Sequence, residues 1–449
     1  MSQSFASTVF QANGRKHVLA VALQSYDPLT KDNELSVPLA NSQILRFEYV
    51  NRLNGLVLEG KLVYVDTTGQ VARIFGEQTI LCQATYQAIK SEKEGGVDIE
   101  EWHKDQLFSH TFLVDSVNIL SRERSKVIYE IYLVSNSWFK FASYVAYTNY
   151  KKGAEAVSDI IKNIFVEHGI AVEDKTFDEL KIVPAIPYVS GESETVFSAF
   201  NYLMKRSFYA DKSKVSALRF MVYDEQADKQ RLFSLDNGNH YTGSFPVIIN
   251  PKDADLELRF NSREVGLGAV VKRGSTDLHR SMSSRTIFGY TNAEGEAGEI
   301  TPGRIETKEI VNCLNQKTDD NQMPVRFPGL SLGDKTIFMQ TGTEWANSYD
   351  IYDEMVRDFM DVDGLIVEID GDVRHKPASI FTVDIRERQD VVSTDQNSES
   401  EDIKNRYKQF RGPWIATSVR HVIVPIDESD GGMFRSNVCL SRNVLNDDN

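Results

Sequence analysis

The N-terminal third contains Ile44-Leu-Arg-Phe-Glu-Tyr-Val-Asn-Arg-Leu-Asn-Gly-Leu-Val-Leu-Glu-Gly-Lys-Leu-Val-Tyr-Val65, in which two alternating apolar segments flank an Asn-Gly pair. Leu45, Phe47 and Tyr49 alternate with polar residues, which predicts that they share one face of a strand. Asn54-Gly55 readily adopts the positive φ angles that a tight hairpin turn requires. The stretch therefore predicts an antiparallel β-hairpin.

Similar patterns follow along the chain. A second hairpin is predicted over residues 111–134, around the charged turn 121–125, and a third runs from residue 414 to the last strand. The sequence of residues 91–96, Ser-Glu-Lys-Glu-Gly-Gly, indicates a solvated loop. His103 and His110 could meet Glu100 and Glu101 in space, but a charged loop explains these residues better. The fold is thus predicted to be mainly antiparallel β.

The middle of the chain changes to a helical period. One apolar stripe at i, i+3, i+4, i+7 and i+8 consists of Val157, Ile160, Ile161, Ile164 and Phe165. Gly169 follows as a left-handed helix stop. A second helix is predicted over residues 195–206, with inward-facing Val196, Phe200, Leu203 and Met204. The fold class is therefore α+β, with helices concentrated in a middle segment.

The third quarter of the chain is predicted to be irregular. Residues 291–299 and 390–402 are polar and acidic, which indicates two solvated loops. Residues 341–344 match a capping box that would open a helix reaching residue 359. A strand over residues 365–369 is predicted between two Asp-Gly turns.

Composition restricts the class of protein. The chain has 449 residues, enough for two to four domains, and a net charge of −15, which disfavours general binding to phosphate backbones. Its three cysteines, Cys82, Cys313 and Cys439, form no disulfide framework, so a reducing site of assembly is expected. Neither a secretory signal nor a membrane span is expected from the hydropathy pattern.

The sequence offers no specific catalytic motif. Residues 55–62 approach a phosphate-binding loop, but Leu62 stands where Ser or Thr is required, so a hairpin explains them better. Asp363-Gly364 fails the spacing of a calcium loop and favours a type I′ turn. The eight histidines are scattered without metal-ligand spacing. We therefore expect no catalytic, metal or cofactor site, although a carboxylate pair of the glycosidase kind is neither supported nor excluded.

Aromatic residues cluster directly after the second predicted hairpin. Trp138, Phe139 and Tyr144 lie in a short segment with two further aromatics. One interpretation is a core boundary between domains, and the other is an anchor at a subunit interface. Trp414, at the start of the third hairpin, is a fourth candidate interface residue. The second and third hairpins also echo each other, reading Phe-Leu-Val-Asp-Ser-Val and Trp-Ile-Ala-Thr-Ser-Val, which suggests a duplicated β domain.

Three segments carry a family resemblance. A strand ending in Leu133-Val-Ser-Asn136, the helix within Gly153-Ala-Glu-Ala-Val-Ser-Asp-Ile-Ile-Lys-Asn-Ile-Phe-Val-Glu-His-Gly-Ile170, and Pro413-Trp-Ile-Ala-Thr-Ser-Val-Arg-His-Val422 follow in order. Together with the second predicted helix, they resemble baseplate hub proteins of contractile-tailed bacteriophages.

That resemblance implies two tube-type β-barrel domains. The first would span residues 1–145, and the second residues 246–285 with 362–449. A helix-containing middle domain would span residues 146–245, and an inserted segment residues 286–361. Three chains with two barrels each would form a homotrimeric pseudo-sixfold ring.

The resemblance further implies a structural, non-enzymatic role in the virion. The ring would connect the sixfold tail tube to the threefold central spike and form part of the DNA channel. Its partners would be the tube protein, the spike protein and neighbouring wedge proteins, with DNA only as passing cargo and no membrane insertion. Assembly would take place in the host cytoplasm. The alternative is a tail enzyme that degrades cell wall or glycans with a carboxylate pair.

Overall fold

The computed structural model describes twenty segments of the chain. These are residues 8–12, 15–26, 36–75, 79–94, 97–146, 149–150, 156–179, 182–184, 188–191, 193–205, 207–209, 219–234, 242–249, 272–273, 284–290, 300–305, 334–340, 363–385, 412–425 and 431–442. The predicted loops 291–299 and 390–402, the predicted helix up to residue 359, and Cys313 lie outside the described residues.

Strands account for most of the described elements. The N-terminal strands are β1 (Thr8–Ala12), β2 (Arg15–Ser25), β3 (Ser36–Leu39), β4 (Ile44–Arg52), β5 (Glu59–Asp66), β6 (Ile80–Glu94), β7 (Val97–Arg122), β8 (Val127–Ser135) and β9 (Asn149–Tyr150). The middle strands are β10 (Ile182–Pro184), β11 (Tyr188–Val189), β12 (Ser207–Tyr209), β13 (Arg219–Asp224) and β14 (Lys229–Ser234). The C-terminal strands are β15 (Ser244–Ile249), β16 (Lys272–Arg273), β17 (Ser284–Tyr290), β18 (Ile300–Ile305), β19 (Asp334–Gln340), β20 (Asp363–Asp370), β21 (Ile380–Ile385), β22 (Gly412–Val424) and β23 (Met433–Arg442).

Among the described residues, helices are few and short. They are α1 (Gln70–Ile74), α2 (Trp138–Ala142), α3 (Val157–Glu167), α4 (Asp174–Glu179) and α5 (Val196–Lys205), with a single 3₁₀ turn at Asn41–Gln43. The predicted fold class, mainly antiparallel β with a helical part, is confirmed.

One sheet of fourteen strands dominates the structure. Its main order is β1-β2-β6-β7-β8-β5-β4-β22-β23-β20-β16, with β3 beside β2, β21 beside β22, and β15 beside β21. The predicted hairpins β4–β5, β7–β8 and β22–β23 are all present. β22 pairs with β4, from Ser418 opposite Arg52 to Ile423 opposite Phe47. Strands from the two ends of the chain therefore share one sheet.

The sheet curls until its first strand meets β23. The amide of Gly432 donates to the carbonyl of Gln11 at 2.6 Å, and the Phe434 ring lies 4.9 Å from the Tyr86 ring. The main apolar core fills the inside of this curl and includes Phe10, Phe47 and Phe112. Curling is the expected response of a twisted antiparallel sheet that must bury one face.

The C-terminal hairpin runs from this core into a second one. Ile423 and Phe434 belong to the main core, whereas Trp414, Val419 and Val438 pack with residues of β15, β20 and β21. The division into the four predicted domains stays a prediction, as does the duplication of the β domain.

The middle segment forms a separate helical unit, as the periodicity predicts. Every residue of the predicted α3 stripe is buried, and so are the four inward residues of α5. Gly169 ends α3 with φ +68°, as predicted. The unit attaches to the sheet through the β4–β5 turn, where Asn54, at φ 58°, donates its amide to the carbonyl of Met221 at 2.8 Å. The Asn54 side chain accepts the Met221 amide in return, also at 2.8 Å.

Four local predictions are wrong. Leu45 is 45% exposed, because a bulge between Ile44 and Arg46 shifts the register and turns Ile44 inward instead. Within the predicted loop 91–96, residues 91–94 belong to β6, which continues to Glu94 and pairs with the start of β7, while residues 95–96 lie outside the described residues. His103 and His110 accordingly lie in β7 and not in a loop. Asp363 and Gly364 begin β20, so the predicted type I′ turn is absent there.

Candidate subunit interface

The aromatic segment begins where β8 ends. Ser135 is fully buried, and its hydroxyl accepts the amide of Leu58 at 2.9 Å while lying 2.8 Å from Nε2 of His110. The amide of Asn136 donates to the carbonyl of Thr111 at 3.1 Å. These bonds fix the end of the strand, so α2 leaves the sheet at a defined point.

Helix α2 has one buried and one exposed side. Phe141 is fully buried and packs edge-on against Phe165, with ring centroids 5.5 Å apart, which ties α2 to the helical unit. Trp138 is 40% exposed and Phe139 is 55% exposed. Large aromatic rings held on a short, anchored helix are suited to contact another protein, because little conformational freedom remains to be lost.

A neighbouring helix extends this exposed surface. Phe197, at the start of α5, is 39% exposed, and its ring centroid lies 6.3 Å from that of Trp138. Tyr144 is 66% exposed, and its backbone forms a β-bridge with Thr195, two residues before Phe197. We call Trp138, Phe139, Tyr144 and Phe197 the aromatic patch.

Trp414 lies elsewhere. It is 1% exposed and belongs to the second core with Val247 and Phe381. Its ring is therefore part of the packing between β15, β21 and β22, and the aromatic patch does not include it.

A groove of about 460 Å³ has Trp138 among its lining residues. Val50, Val57 and Leu133 contribute its apolar lining, and Glu48, Glu59, Lys61 and Asp115 are its charged lining residues. The groove is thus lined by apolar and charged side chains next to Trp138 of the aromatic patch.

Most charges in the groove are paired across strands. Arg420 of β22 holds both carboxylate oxygens of Glu48, at 2.6 and 2.7 Å, and Arg46 lies 2.7 Å from the same group. Lys61 pairs with Glu130, and Arg52 with Glu59 at 2.7 Å. The pairs Arg420–Glu48, Lys61–Glu130 and Arg52–Glu59 each connect neighbouring strands.

Away from the groove, a buried polar cluster contains a carboxyl group whose pKa is strongly raised. Burial raises the pKa of Glu225 to about 7, against the opposing charge of Lys376 and a hydrogen bond from Asn51 at 3.1 Å. Burial alone would also raise the pKa of Asp224, but the Lys376 ammonium, 2.8 Å away, holds it below its usual value. Glu225 is 3% exposed and does not line the groove.

This cluster joins three parts of the chain. Asn51 lies on β4, Glu225 follows β13, and Lys376 lies between β20 and β21. We call them, together with the surrounding Tyr49, His110, Asp224, Asp372, His375 and His421, the polar joint. Burial lowers the pKa of His110 and His375 to about 4 and that of His421 to about 3. In each of these groups, burial disfavours the charged form.

The described residues give two further results. Within the described ranges, no group of three or more His, Cys, Asp or Glu side chains is placed to hold a metal ion. Of the helices described, none is long and apolar enough to cross a bilayer.

Similarity to known proteins is detected through structure. No protein-family model matches the chain, and neither does any curated protein. A 43 kDa tail protein of prophage MuSo2 from Shewanella oneidensis aligns with a TM-score of 0.50 and 10% identity, covering 95% of this chain and 98% of that protein. The chain has the fold of a phage tail protein.

Two other solved structures align less well. A tail protein from Neisseria meningitidis MC58 gives a TM-score of 0.49 at 10% identity, with 95% of this chain and 97% of that chain covered. An E. coli component of the type VI secretion system gives a TM-score of 0.39 at 9% identity, with 90% and 76% covered. The prophage alignment confirms, at the level of the fold, the tail-protein resemblance drawn from the sequence.

Sequence reasoning missed Phe197 and the polar joint. Phe197 falls outside the inward stripe of α5, and a large apolar residue off the stripe is a usable signal for an exposed contact. Asn51, Glu225 and Lys376 carry no comparable signal, because only the fold brings them together.

Proposed function

We propose that the chain is a structural hub protein of a contractile phage baseplate. The observation that carries this proposal is a fold shared with a prophage tail protein over 95% of this chain and 98% of that one. A match over nearly all of both chains favours a common architecture over a single common module.

The proposed assembly is a homotrimer that forms a pseudo-sixfold ring between the sixfold tail tube and the threefold spike. In this arrangement the first barrel covers residues 1–145 and the second residues 246–285 with 362–449. The middle domain covers 146–245 and the inserted segment 286–361. The pairing of β4 with β22 supports a rigid unit, since it joins the N-terminal and C-terminal strands directly.

The aromatic patch is the proposed contact between subunits or with a partner. Trp138, Phe139 and Tyr144 are exposed, as an interface requires, and Phe197 enlarges the surface. Partners of the ring would be the tube protein, the spike protein and the wedge proteins around it.

The ring would form part of the DNA channel of the virion, after assembly in the host cytoplasm. A net charge of −15 supports passage of DNA without retention, because like charges repel. The role proposed is mechanical, and the polar joint supports this, since its perturbed carboxyl group is enclosed among structural contacts.

The test is to locate the protein in particles and to image it. Tails purified from the producing host should contain the chain at the baseplate end by immunogold labelling, and recombinant protein, alone or with its spike, should give images of a threefold ring. The native mass of the protein without its spike should be about three times 50.8 kDa. A chain absent from tails, or a monomer that cleaves peptidoglycan, would reject the hub.

A further inference from the structure

Two buried acceptor atoms of the polar joint have no hydrogen-bond partner among the described residues. They are Oδ1 of Asn51 on β4 and Oε1 of Glu225, the residue that follows β13. Both residues are almost completely buried. A buried acceptor without a donor is costly, so each such atom in a native structure requires an explanation.

The same two side chains already contact each other through their other polar atoms. Nδ2 of Asn51 donates to Oε2 of Glu225 at 3.1 Å and to the carbonyl of Tyr223 at 2.9 Å. A carbonyl oxygen can only accept, so the contact with Tyr223 establishes which end of the Asn51 amide is the nitrogen. Both hydrogens of this nitrogen are used, and the Asn51 oxygen needs a donor from another group.

A single proton on Glu225 would satisfy both acceptors. An ionised carboxylate can only accept, whereas a protonated carboxyl group has one O–H donor and keeps one carbonyl acceptor. A carboxylic acid and a primary amide therefore match each other and can pair through two parallel hydrogen bonds. In this arrangement Oε1–H of Glu225 donates to Oδ1 of Asn51, and Nδ2 of Asn51 donates to Oε2 as it already does.

The surroundings of Glu225 favour its neutral form. Burial raises the pKa of Glu225 to about 7, against the charge of Lys376 and the hydrogen bond from Asn51, and the charge of Asp224 adds to the increase. The Lys376 ammonium lies 2.8 Å from Asp224, so its positive charge is partly compensated by that carboxylate. A proton is therefore available to Glu225 in mild acid.

The other titratable groups of the joint keep one protonation state where Glu225 changes. The histidines share a pKa that burial lowers, to about 4 for His110 and His375 and to about 3 for His421. Burial, reinforced by the charge of Glu225, raises the pKa of Tyr49 on β4 and that of Tyr223 on β13. Burial alone would raise the pKa of Asp372, but a hydrogen bond from Arg374 holds it below its usual value.

The contact between Asn51 and Glu225 joins two parts of the structure. Asn51 belongs to the large sheet, whereas Glu225 lies at the turn of the β13–β14 hairpin. Loss of the proton would leave a buried carboxylate beside the Asn51 oxygen, two acceptors without a donor, so this contact would weaken. The hydrogen bonds between Asn54 and Met221 involve no titratable group and would hold the same hairpin at its other end.

We propose that one proton, held between Oε1 of Glu225 and Oδ1 of Asn51, clamps the β13–β14 hairpin to β4 and makes the polar joint a pH-sensitive latch. The proton comes from water and returns to water, and only the Oε1–H bond forms or breaks. The latch is closed in mild acid and opens as the pH rises above neutrality. The inference goes beyond the proposed hub and does not depend on it.

Infrared spectroscopy of the full-length protein tests whether Glu225 carries the proton. At about pH 6 the spectrum should contain the C=O stretch of a protonated carboxyl group, because ordinary carboxyl groups are ionised there. The band should vanish at about pH 8.5 and should be absent from Glu225→Gln. Absence of this band from the wild-type protein at the lower pH would overturn the proposal.

Two further variants identify the acceptor of the proton. Tyr49 is the competing acceptor, because its buried hydroxyl also has no partner among the described residues. Asn51→Leu should shift the infrared band, since the acid loses its amide partner, whereas Tyr49→Phe should leave the band in place. A shift in Tyr49→Phe without a shift in Asn51→Leu would overturn the assignment to Asn51.

Hydrogen exchange of the β13 and β14 amides tests the latch itself. In the wild type, protection corrected for the intrinsic exchange rate should fall about tenfold between about pH 6 and about pH 8.5, because the opened hairpin restores the ordinary pKa of Glu225. Glu225→Gln keeps a donor at the same position, so its protection should change little. Glu167→Gln removes the same charge from an exposed position on α3 and should behave like the wild type.

Two results of the exchange experiment would overturn the latch. Equal pH dependence in the wild type and in Glu225→Gln would show that the proton on Glu225 does not hold the hairpin. Protection at the higher pH that increases with potassium or sodium chloride, but not with choline chloride, would show that a metal cation and not a proton joins the two acceptors. Unfolding midpoints verify that every variant folds, and the isosteric Glu225→Gln decides the test if Asn51→Leu does not.

Discussion

Lys376 and Asp224 form an ion pair, with Nζ 2.8 Å from Oδ1, although 152 residues separate them in the chain. Lys376 is 7% exposed, and its charge also acts on Glu225. The pair fastens the β13–β14 hairpin of the helical unit to the loop between β20 and β21. The polar joint thus connects the middle of the chain to both of its ends.

Removing this lysine should destabilise the protein strongly. In Lys376→Met, Asp224 loses its partner in a largely buried site, so we expect a loss of about 2–4 kcal/mol in the free energy of unfolding. Urea unfolding measures it. The control is Arg435→Met, which breaks an exposed pair with Asp370 and should cost less than about 1 kcal/mol. If both variants lost the same free energy of unfolding, burial of the Lys376–Asp224 pair would not increase its contribution to stability.

The joint should also make stability depend on pH. His110, His375 and His421 have pKa values lowered from 6.5 by burial, so the unfolded chain binds their protons more readily and stability falls as pH drops below 6.5. Glu225 acts in the opposite sense. Its pKa is raised from 4.5 to about 7, so its stabilising contribution is present in acid and is lost as pH rises through about 7.

Between about pH 5 and pH 6, acidification lowers the free energy of unfolding through three histidines and raises it through one carboxyl group. The histidines outnumber the carboxyl group, so the wild-type protein should lose stability on acidification. Glu225→Gln removes the opposing group and should make this loss steeper, whereas His421→Gln should make it shallower. Urea unfolding at several pH values measures the three slopes. The slope of stability against pH should be steepest for Glu225→Gln and shallowest for His421→Gln. Any other order would contradict the pKa shifts assigned to these groups.

Local pattern predicted the elements well because each depends on near neighbours. The α3 stripe and the Gly169 stop follow from a period of 3.6 residues and a left-handed glycine, and both are present. Alternation predicts which face of a strand is buried, but not which strand lies beside it. The pairing of β4 with β22 therefore had no signal in the sequence.

The errors have the same origin. A bulge needs one extra residue and no special composition, so alternation placed Leu45 on the wrong face. Residues 91–94 are polar, which suits a loop, yet backbone pairing with β7 extends them into a strand. Among the four predicted interface residues, Trp138, Phe139 and Tyr144 are exposed and Trp414 is buried, a distinction that requires the second core to be known. The interface role itself stays a prediction.

Gly371 should not tolerate a side chain. A Cβ at this position would lie 2.2 Å from Cγ of Phe434, and the Gly371 amide donates to the Phe434 carbonyl at 3.0 Å, so neither group can easily move away. Gly371→Ala should cost about 1–3 kcal/mol or more through overpacking of the main core. Gly191→Ala is the control, because its nearest neighbour would be Cβ of Glu194 at 3.9 Å.

Calorimetry or urea unfolding of these two variants measures the difference. The double variant Gly371→Ala with Phe434→Leu should show a strong coupling energy, since the smaller side chain relieves the clash while leaving a partly filled core. If the stability losses of the two single substitutions simply add in the double variant, then the methyl group introduced by Gly371→Ala does not clash with the Phe434 ring.

Two adjacent residues of α2 should separate association from stability. Trp138→Ser with Phe139→Ser removes two partly exposed rings, so the loss of stability should be clearly smaller than for a buried ring, while association falls about 30-fold or more if the patch is an energetic centre of the interface. Phe141→Ala, on the buried side of the same helix, should instead cost about 3–5 kcal/mol of stability. Analytical ultracentrifugation and urea unfolding of both variants measure the two effects. A double serine variant that unfolds as readily as Phe141→Ala would show that these rings serve the packing of the helical unit, as the core-boundary interpretation requires.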